Sequence, residues 1–228
     1  MAAAAELQAR HDALLPRAWR VDAATRESHD VVTLQLASPT GRTSPWRAGQ
    51  FNMLYAFGIG EVPISFSGGD ALRPRHSIRV VGPVSRALAA LEPGALLGVR
   101  GPYGSAWPLE AARGGDVVIA AGGIGLAPLK PLVEAICARR AEFGAVTLLY
   151  GARTPADRLF EACREDWRAR GIRIAETVDH ADADWRGQVG VVTTLVRRAR
   201  FDPATTRAFL CGPEIMMRFA ALELERAG

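Results

Sequence analysis

The hydrophobic pattern of the chain changes its period near residues 111–115, and this change constrains the fold more than any other feature. Before it, short β-type runs are separated by glycine and proline turns. After it, residues 117–121 form a continuous apolar run of the kind buried on both faces of a sheet, and helical segments then alternate with β-type segments. We therefore predict a two-domain fold, with an N-terminal antiparallel β-barrel and a C-terminal α/β domain built on an open parallel sheet.

The predicted elements follow from these two patterns. In the first half we expect strands over residues 31–36, 50–55, 63–67, 77–81 and 96–100, with one helix over 85–91. In the second half we expect strands over 117–121, 146–150, 173–177 and 208–211, and helices over 126–140, 159–169, 191–199 and from residue 214. The predicted divisions are an N-terminal tail over 1–15, a barrel domain over 16–112 and an α/β domain over 113–228.

Composition narrows the possible functions. The 228 residues carry 28 basic and 24 acidic side chains, and the arginines are scattered rather than gathered in long runs, which argues against nucleic-acid binding. The longest apolar run is too short to cross a bilayer, so we predict no membrane insertion. Three cysteines without a C-x-x-C pair suggest neither disulfides nor a local metal site. We predict a cytoplasmic protein without a metal centre.

The sharpest local motif joins the first parallel strand to its helix. It contains Gly122, Gly123 and Gly125, followed by Ala127 and Pro128. Glycines let a backbone approach a pyrophosphate, whose charge is met by the N–H groups at the start of the helix. The alternative interpretation is a tight strand-to-helix turn that binds nothing.

A second candidate motif lies in the barrel half, where Gly82 and Val84 precede Ser85 at the start of the single predicted helix. A helix that starts with a serine cap after glycine could also hold a diphosphate. The alternative is that Ser85 is a plain N-cap. Two diphosphate sites, one in each domain, would bring two dinucleotides together between the domains.

Taken in order, these and four further segments resemble the ferredoxin–NADP(H) reductase superfamily over nearly the whole chain. The matching segments are Gly49-Gln50-Phe51 with Pro63-Ile64-Ser65, Gly82 to Ser85, Gly101 to Gly104, Gly122 to Pro128, Tyr150 to Arg153, and Cys211-Gly212-Pro213. Residues 60–65 and 178–190 look most like the flavin subunits of cytoplasmic nickel–iron hydrogenases and anaerobic sulfite reductases. Many members carry an arginine and an aromatic residue where this chain has Val62 and Ile64.

The resemblance implies FAD and NAD(P)H as cofactors. It places Pro63, Ile64 and Ser65 with Gly82, Val84 and Ser85 at the flavin, and the Gly122 to Pro128 segment at the nicotinamide dinucleotide. It implies that Cys211 is the catalytic residue beside the nicotinamide, with Gly212 and Pro213 keeping the backbone clear of that ring. Arg153, together with Arg158, would lie near the adenosine ribose, which leaves NADH and NADPH both open.

The function implied is an FAD-dependent NAD(P)H oxidoreductase subunit that exchanges electrons with an iron–sulfur or hydrogenase subunit. A stand-alone flavin or ferredoxin reductase and a non-catalytic structural subunit are the alternatives. Related flavin subunits continue into a four-cysteine [2Fe–2S] segment, whereas this sequence ends 17 residues after Cys211, so we expect no cluster in the chain as given.

Overall fold

The computed structural model describes residues 15–38, 41 and 45–228. Apart from Leu15, the predicted N-terminal tail lies outside the described residues. The described chain forms a closed antiparallel barrel followed by a parallel sheet with helices on both faces. The predicted fold class is confirmed.

Six strands build the barrel. They are β1 (Arg17–Arg26), β2 (Val31–Ala37), β3 (Phe51–Ala56), β4 (Gly60–Gly69), β5 (Pro74–Arg79) and β6 (Leu96–Tyr103), hydrogen-bonded in the order β1-β2-β5-β4-β3-β6. Helix α1 (Pro83–Ala89) lies between β5 and β6 in the chain, and Leu88 on this helix packs into the apolar interior of the barrel. The five predicted strands are present, whereas β1 was not among them. Its ten residues bury only Trp19 and Val21, so the apolar pattern of this strand is weak.

The second part is a five-stranded parallel sheet. Its strands are β7 (Val117–Gly122), β8 (Val146–Ala152), β9 (Ile172–Val178), β10 (Gln188–Val189) and β11 (Arg207–Cys211), in the order β10-β9-β8-β7-β11. The helices are α2 (Leu126–Ala138), α3 (Glu161–Ala169), α4 (Val192–Arg198) and α5 (Glu214–Arg226). Helix α3 begins two residues later than predicted because Phe160 has a left-handed backbone, with φ of 57°.

The alternation along β7 explains how both faces of this sheet are covered. Ile119 packs into the core that contains α2, whereas Val118 and Ala120 pack against α4 and α5 on the opposite face. All six residues of β7 are buried. This is the behaviour expected of a central parallel strand, and it explains why the sequence of β7 is a continuous apolar run.

Helix α2 also connects the two parts, because it packs against β4 of the barrel. Its buried residue Lys130 pairs with Glu134 one turn along, and its ammonium group lies beside Gly68 of β4. The indole nitrogen of Trp107 donates a hydrogen bond to the carbonyl of Pro128 at 3.1 Å. Barrel and sheet are therefore held in contact along one edge. Among the described residues, no helix is long and apolar enough to cross a membrane.

Candidate functional site

A large cleft lies where the carboxyl ends of the parallel strands face the barrel. Its volume is about 990 Å³, at the upper end of the usual range for small-molecule and cofactor sites. From β7 the chain runs outward to β10 and then returns to place β11 on the other side of β7, so the strand order reverses between β7 and β11. Ligands of open α/β sheets bind at such a reversal. The cleft is therefore the candidate site.

The cleft brings together most of the predicted site residues. From the sheet part it is lined by Gly122, Gly123, Gly125, Ala127, Pro128, Arg153, Cys211, Gly212 and Pro213, and from the barrel by Pro63, Ile64 and Ser65. Gly82, Val84 and Ser85 do not line it. Twelve positions from four separate stretches of the sequence thus meet in one cavity.

Of the three glycines in the β7–α2 turn, Gly123 is the one that opens toward the cleft. Its φ is 53°, and a Cβ atom added there would meet only one atom, Nη1 of Arg79, at 4.0 Å. The backbone at Gly123 is therefore accessible to a ligand at a position where the left-handed conformation favours glycine. Helix α2 begins three residues later, with Pro128 in its first turn as predicted.

Gly122 and Gly125 are required by packing within the protein. A Cβ atom at Gly125 would overlap the carbonyl of Cys211 and lie 2.7 Å from Cα of Gly212. At Gly122 it would lie 3.1 Å from Pro213 and overlap the side chain of Met216. These glycines let the turn pack against the end of β11 and the start of α5. Because protein backbone occupies the space that a side chain at Gly125 would need, packing within the protein alone requires glycine there.

Cys211 lies at the end of β11, directly beside Ala121 of β7. The thiol is partly buried, and this burial raises its pKa above the ordinary value for cysteine. Cys211 is therefore a neutral thiol at physiological pH and a weak nucleophile. Its arrangement suits contact with a ligand better than covalent chemistry.

The barrel motif Gly82 to Ser85 differs from its predicted geometry. Gly82, not Ser85, is the N-cap of α1, and Ser85 is the third residue of the helix. The buried Ser85 hydroxyl accepts hydrogen bonds of 3.0 Å from the backbone amides of Val81 and Gly82. The prediction of a serine N-cap is therefore wrong, because Ser85 reaches back from the first turn to satisfy the amide of the cap residue.

The predicted arginines have separate environments. Arg153 is exposed and lines the cleft. Arg158 instead pairs with Glu161, lies 3.7 Å from Glu176 and stacks over the ring of Trp185, with 4.9 Å between guanidinium carbon and ring centroid. Arg153 alone of the two is therefore available to a ligand in the cleft.

Three curated proteins, each an electron transfer subunit or a gamma subunit by name, are similar in sequence to this chain. The chain is 36% identical over 185 residues to the probable dihydroorotate dehydrogenase B (NAD(+)) electron transfer subunit of Methanopyrus kandleri, covering 81% of this chain and 66% of that protein. The corresponding protein of Archaeoglobus fulgidus is 31% identical, with 87% and 75% covered. Sulfhydrogenase 2 subunit gamma of Pyrococcus furiosus is 30% identical, with 78% and 67% covered. Residues 119–221 also match the oxidoreductase NAD-binding domain family.

The chain belongs to the ferredoxin–NADP(H) reductase superfamily. It spans about two thirds of the length of the Methanopyrus and Pyrococcus proteins. A solved structure, the flavohem-like FAD/NAD binding domain of nitric oxide dioxygenase from Vibrio cholerae, superposes with a TM-score of 0.82. That match covers 94% of each chain at 19% identity, so it supports the shared fold alone.

The two departures from the superfamily pattern have a structural explanation. Val62 and Ile64, which replace an arginine and an aromatic residue, pack against the apolar core of the barrel. The Ile64–Ser65 segment is held by His76, whose Nδ1 lies 3.2 Å from the Ile64 carbonyl and 3.1 Å from the Ser65 carbonyl. His76 is fully buried, and burial lowers its pKa to about 4, so its ring is neutral at physiological pH. Asn52 donates to the other ring nitrogen at 3.3 Å, which assigns the ring proton to Nδ1.

Sequence reasoning missed several residues that line the cleft. Arg79 and Asp30 form an ion pair of 2.7 Å on the barrel side. Burial opposes the charge of Asp30, but hydrogen bonds from Arg79 and Ser28 outweigh it and hold the pKa of Asp30 below its usual range. Ile215 and Phe219 of α5 line the opposite rim and are exposed. Ile215 lies two residues beyond the Cys211-Gly212-Pro213 motif, and this closeness in the sequence was the one sign that it could line the same site.

Proposed function

We propose that this chain is an FAD-dependent NAD(P)H oxidoreductase subunit that moves electrons between a nicotinamide and an iron–sulfur partner, within a hydrogenase-like complex. The observation that carries the proposal is the cleft itself, in which the open backbone at Gly123, the thiol of Cys211 and the Ile64–Ser65 segment share one cavity. The names of the relatives, electron transfer subunit and subunit gamma, support the same assignment.

The sheet side of the cleft fits a nicotinamide dinucleotide. Its pyrophosphate would lie against the backbone at Gly123, where a Cβ atom would point into open space toward Arg79. Arg153 supplies a cation from the sheet side of the cleft. Cys211, neutral and partly buried, would contact the nicotinamide ring without reacting with it.

The barrel side fits a flavin ring more clearly than it fits a flavin diphosphate. His76 fixes the backbone carbonyls of Ile64 and Ser65 at the cleft. The predicted diphosphate segment lies outside the cleft lining, and the amide of Gly82, its first residue, is already bound by Ser85. Its neighbour Val81 does line the cleft and is 81% exposed, so the segment is accessible from the cleft edge.

When bound, a flavin supplies the step that turns hydride transfer into single-electron transfer. The chain must then hold the two rings in contact and exclude water. The glycine turn and the β11 end fix one wall of the cleft, and the His76-anchored segment fixes the other. Apolar side chains of Ile64, Ile215 and Phe219 limit the access of water.

The visible spectrum of the purified protein tests the proposal. We expect flavin absorption near ~450 nm, FAD rather than FMN after acid release, and bleaching when NADH or NADPH is added anaerobically. Comparison of the two nucleotides identifies the physiological donor. A protein that takes up no flavin even on reconstitution would refute the oxidoreductase assignment and favour the structural subunit.

The partner is tested by electron acceptors. We expect the reduced protein to reduce a co-purified iron–sulfur subunit faster than free flavins or dyes. If soluble acceptors are reduced as fast as any protein partner, the stand-alone reductase is the better assignment.

A further inference from the structure

A line of buried hydroxyl groups leads from the cleft to the surface of the barrel. Ser77 lines the cleft and contacts Thr33, with 2.7 Å between the two hydroxyl oxygens. Thr33 donates to Oε1 of Glu27 at 2.8 Å, and Ser77 also bonds the hydroxyl of Ser67 at 2.8 Å. Ser67, Ser77 and Thr33 are 2%, 5% and 8% exposed, whereas Glu27 is partly open to solvent.

The line follows directly from the barrel topology. Thr33 of β2 and Ser77 of β5 are directly opposed across two antiparallel strands, which brings their side chains together. Ser67 lies on β4, the next strand in the barrel. Four oxygens contributed by three strands and the turn after β1 thus form a continuous path.

The path has too few hydrogens for all of its contacts to be made when Glu27 is ionised and Ser77 donates to Ser67, so the hydroxyls must adopt one of two other arrangements. Each hydroxyl has one hydrogen to donate, and an ionised carboxylate can only accept. If Thr33 donates to Glu27 while Ser77 donates to Ser67, no hydrogen remains for the 2.7 Å contact between Thr33 and Ser77. The contacts among Ser77, Thr33 and Glu27 are satisfied when Ser77 donates to Thr33 and Thr33 to ionised Glu27, an arrangement in which the Ser77 hydrogen no longer points to Ser67. They are equally satisfied when protonated Glu27 donates to Thr33, Thr33 to Ser77 and Ser77 to Ser67.

We propose that Ser77, Thr33 and Glu27 form a proton relay between the cleft and solvent. After each transfer, Ser67 accepts a hydrogen bond from the Ser77 hydroxyl. A proton that reaches Ser77 from the cleft displaces the Ser77 hydrogen to Thr33, and the Thr33 hydrogen moves to Glu27. Glu27 then releases a proton to water. Rotation of the Ser77 and Thr33 hydroxyls then restores the first arrangement, in which Ser77 donates to Thr33 and Thr33 donates to Glu27.

The relay rests on the proposed function, which requires such a path. Oxidation of a dihydronicotinamide yields the oxidised nicotinamide, two electrons and one proton. An iron–sulfur acceptor takes only the electrons, so the proton must leave the cleft, and it must enter when the reaction runs in reverse.

Two other titratable groups of the cleft are poorly suited to this task. Burial keeps Cys211 protonated, and Arg79 helps to keep Asp30 ionised. Within the part of the chain that the structure describes, Glu27 has no ion-pair partner, and it is partly open to solvent.

The first test removes the middle oxygen. Thr33→Val keeps the shape of the side chain, Thr33→Ser keeps the hydroxyl, and Thr25→Val makes the same change at the exposed position paired with Thr33 on β1. Flavin absorbance follows hydride transfer in stopped flow, and a pH-indicator dye follows proton release when a one-electron acceptor is added. We expect proton release to slow by about tenfold or more in Thr33→Val, with its solvent isotope effect changed, and to remain near the wild-type rate in Thr33→Ser and Thr25→Val.

The outcomes separate the relay from the proposed function. Wild-type proton release in a Thr33→Val protein whose flavin is still reduced would overturn the relay alone. Absence of flavin reduction in the wild-type protein would overturn the proposed function.

A second test needs no cofactor. Neutron diffraction from the perdeuterated protein locates the deuterons on Thr33 and Ser77. We expect both to point the same way along the path, either toward Glu27 or away from it. A deuteron absent from the Thr33–Ser77 contact would overturn the relay whether or not flavin binds.

Discussion

The two walls of the cleft are built from different parts of the polypeptide. The sheet wall is mostly backbone, formed where the β7–α2 turn packs against the end of β11 with glycine at each close approach. The barrel wall carries several polar groups, namely the Ser77 hydroxyl, the Arg79–Asp30 pair and the backbone carbonyls fixed by His76. A backbone wall does not tolerate added atoms, whereas a side-chain wall depends on hydrogen-bond partners. Substitutions on the sheet wall should therefore have the larger effects.

The largest effect is expected for Gly125→Val. Its side chain would overlap the backbone of Cys211 and Gly212, which cannot move aside as a flexible side chain could. We expect a loss of about 3 kcal/mol or more in the free energy of unfolding, or failure to obtain soluble protein. Urea denaturation measures this loss. A stable Gly125→Val protein with impaired nucleotide binding would instead show that the turn approaches a ligand at Gly125.

Gly123→Ala should separate folding from binding on the same wall. The added methyl group faces the open cleft, so we expect a stability cost of only about 1–2 kcal/mol for the left-handed conformation. NAD(P)H should nevertheless reduce the flavin about 100-fold more slowly, because the pyrophosphate loses its approach to the backbone. Anaerobic stopped flow measures the rate, and acid release measures the flavin content, which should be unchanged.

Gly114→Ala is the matched control for this variant. Gly114 has φ of 77°, is exposed and has open space around its Cβ position, but lies away from the cleft. We expect Gly114→Ala to carry the same stability cost of the left-handed conformation and to leave the rate of flavin reduction unchanged. Equal reduction rates in the two variants would show that Gly123 is only a turn residue.

The sheet wall was largely predictable because its residues are contiguous in the sequence. The run over residues 117–121 is apolar because both faces of β7 are buried, and the glycines that follow mark the turn. What the motif could not reveal was the neighbour of each glycine, since the end of β11 arrives from about 90 residues later in the chain. The sequence therefore could not show that Gly125 packs against the end of β11.

The barrel wall was less predictable because strands distant in the sequence each contribute one or two side chains. Nothing in local spacing distinguishes Arg79, which faces the cleft, from Arg75, which lies on the same strand and bonds Gln35 on the barrel exterior. Ser77 and Thr33 become neighbours only through the β2–β5 register. Strand β1 was missed because few of its side chains are buried.

His76 should make the barrel wall sensitive to acid. Its pKa in the folded protein is about 4, below the ordinary value of 6.5, so the unfolded chain binds more protons between these values and stability falls as the pH falls. His76→Gln does not titrate. We expect the stability advantage of the wild type over His76→Gln to shrink by about 2 kcal/mol between pH 7.5 and pH 5. Urea denaturation at the two pH values measures this difference, and a constant advantage would mean that His76 is not buried in its neutral form.

The smallest effect is expected for the Arg79–Asp30 pair, because both side chains are partly solvated. Arg79→Gln removes the partner that holds the pKa of Asp30 below its usual range, and we expect a loss of about 1 kcal/mol at pH 7. A lowered folded-state pKa stabilises the protein above the unfolded value near 3.8 and ceases to do so as the pH falls through that region. The gap between wild type and Arg79→Gln should therefore narrow as the pH falls below 3.8.

Arg75→Gln is the control for the ion pair, since it removes an exposed arginine from the same strand and should change stability by less than about 0.5 kcal/mol. Asp30→Asn completes a double-mutant cycle. If the Arg79→Gln loss persists unchanged in the Asp30→Asn background, the guanidinium stabilises the barrel wall through packing alone. In that case the two walls differ less in their electrostatics than the structure indicates, because the side chain of Arg79 would then act as an apolar spacer beside Gly123.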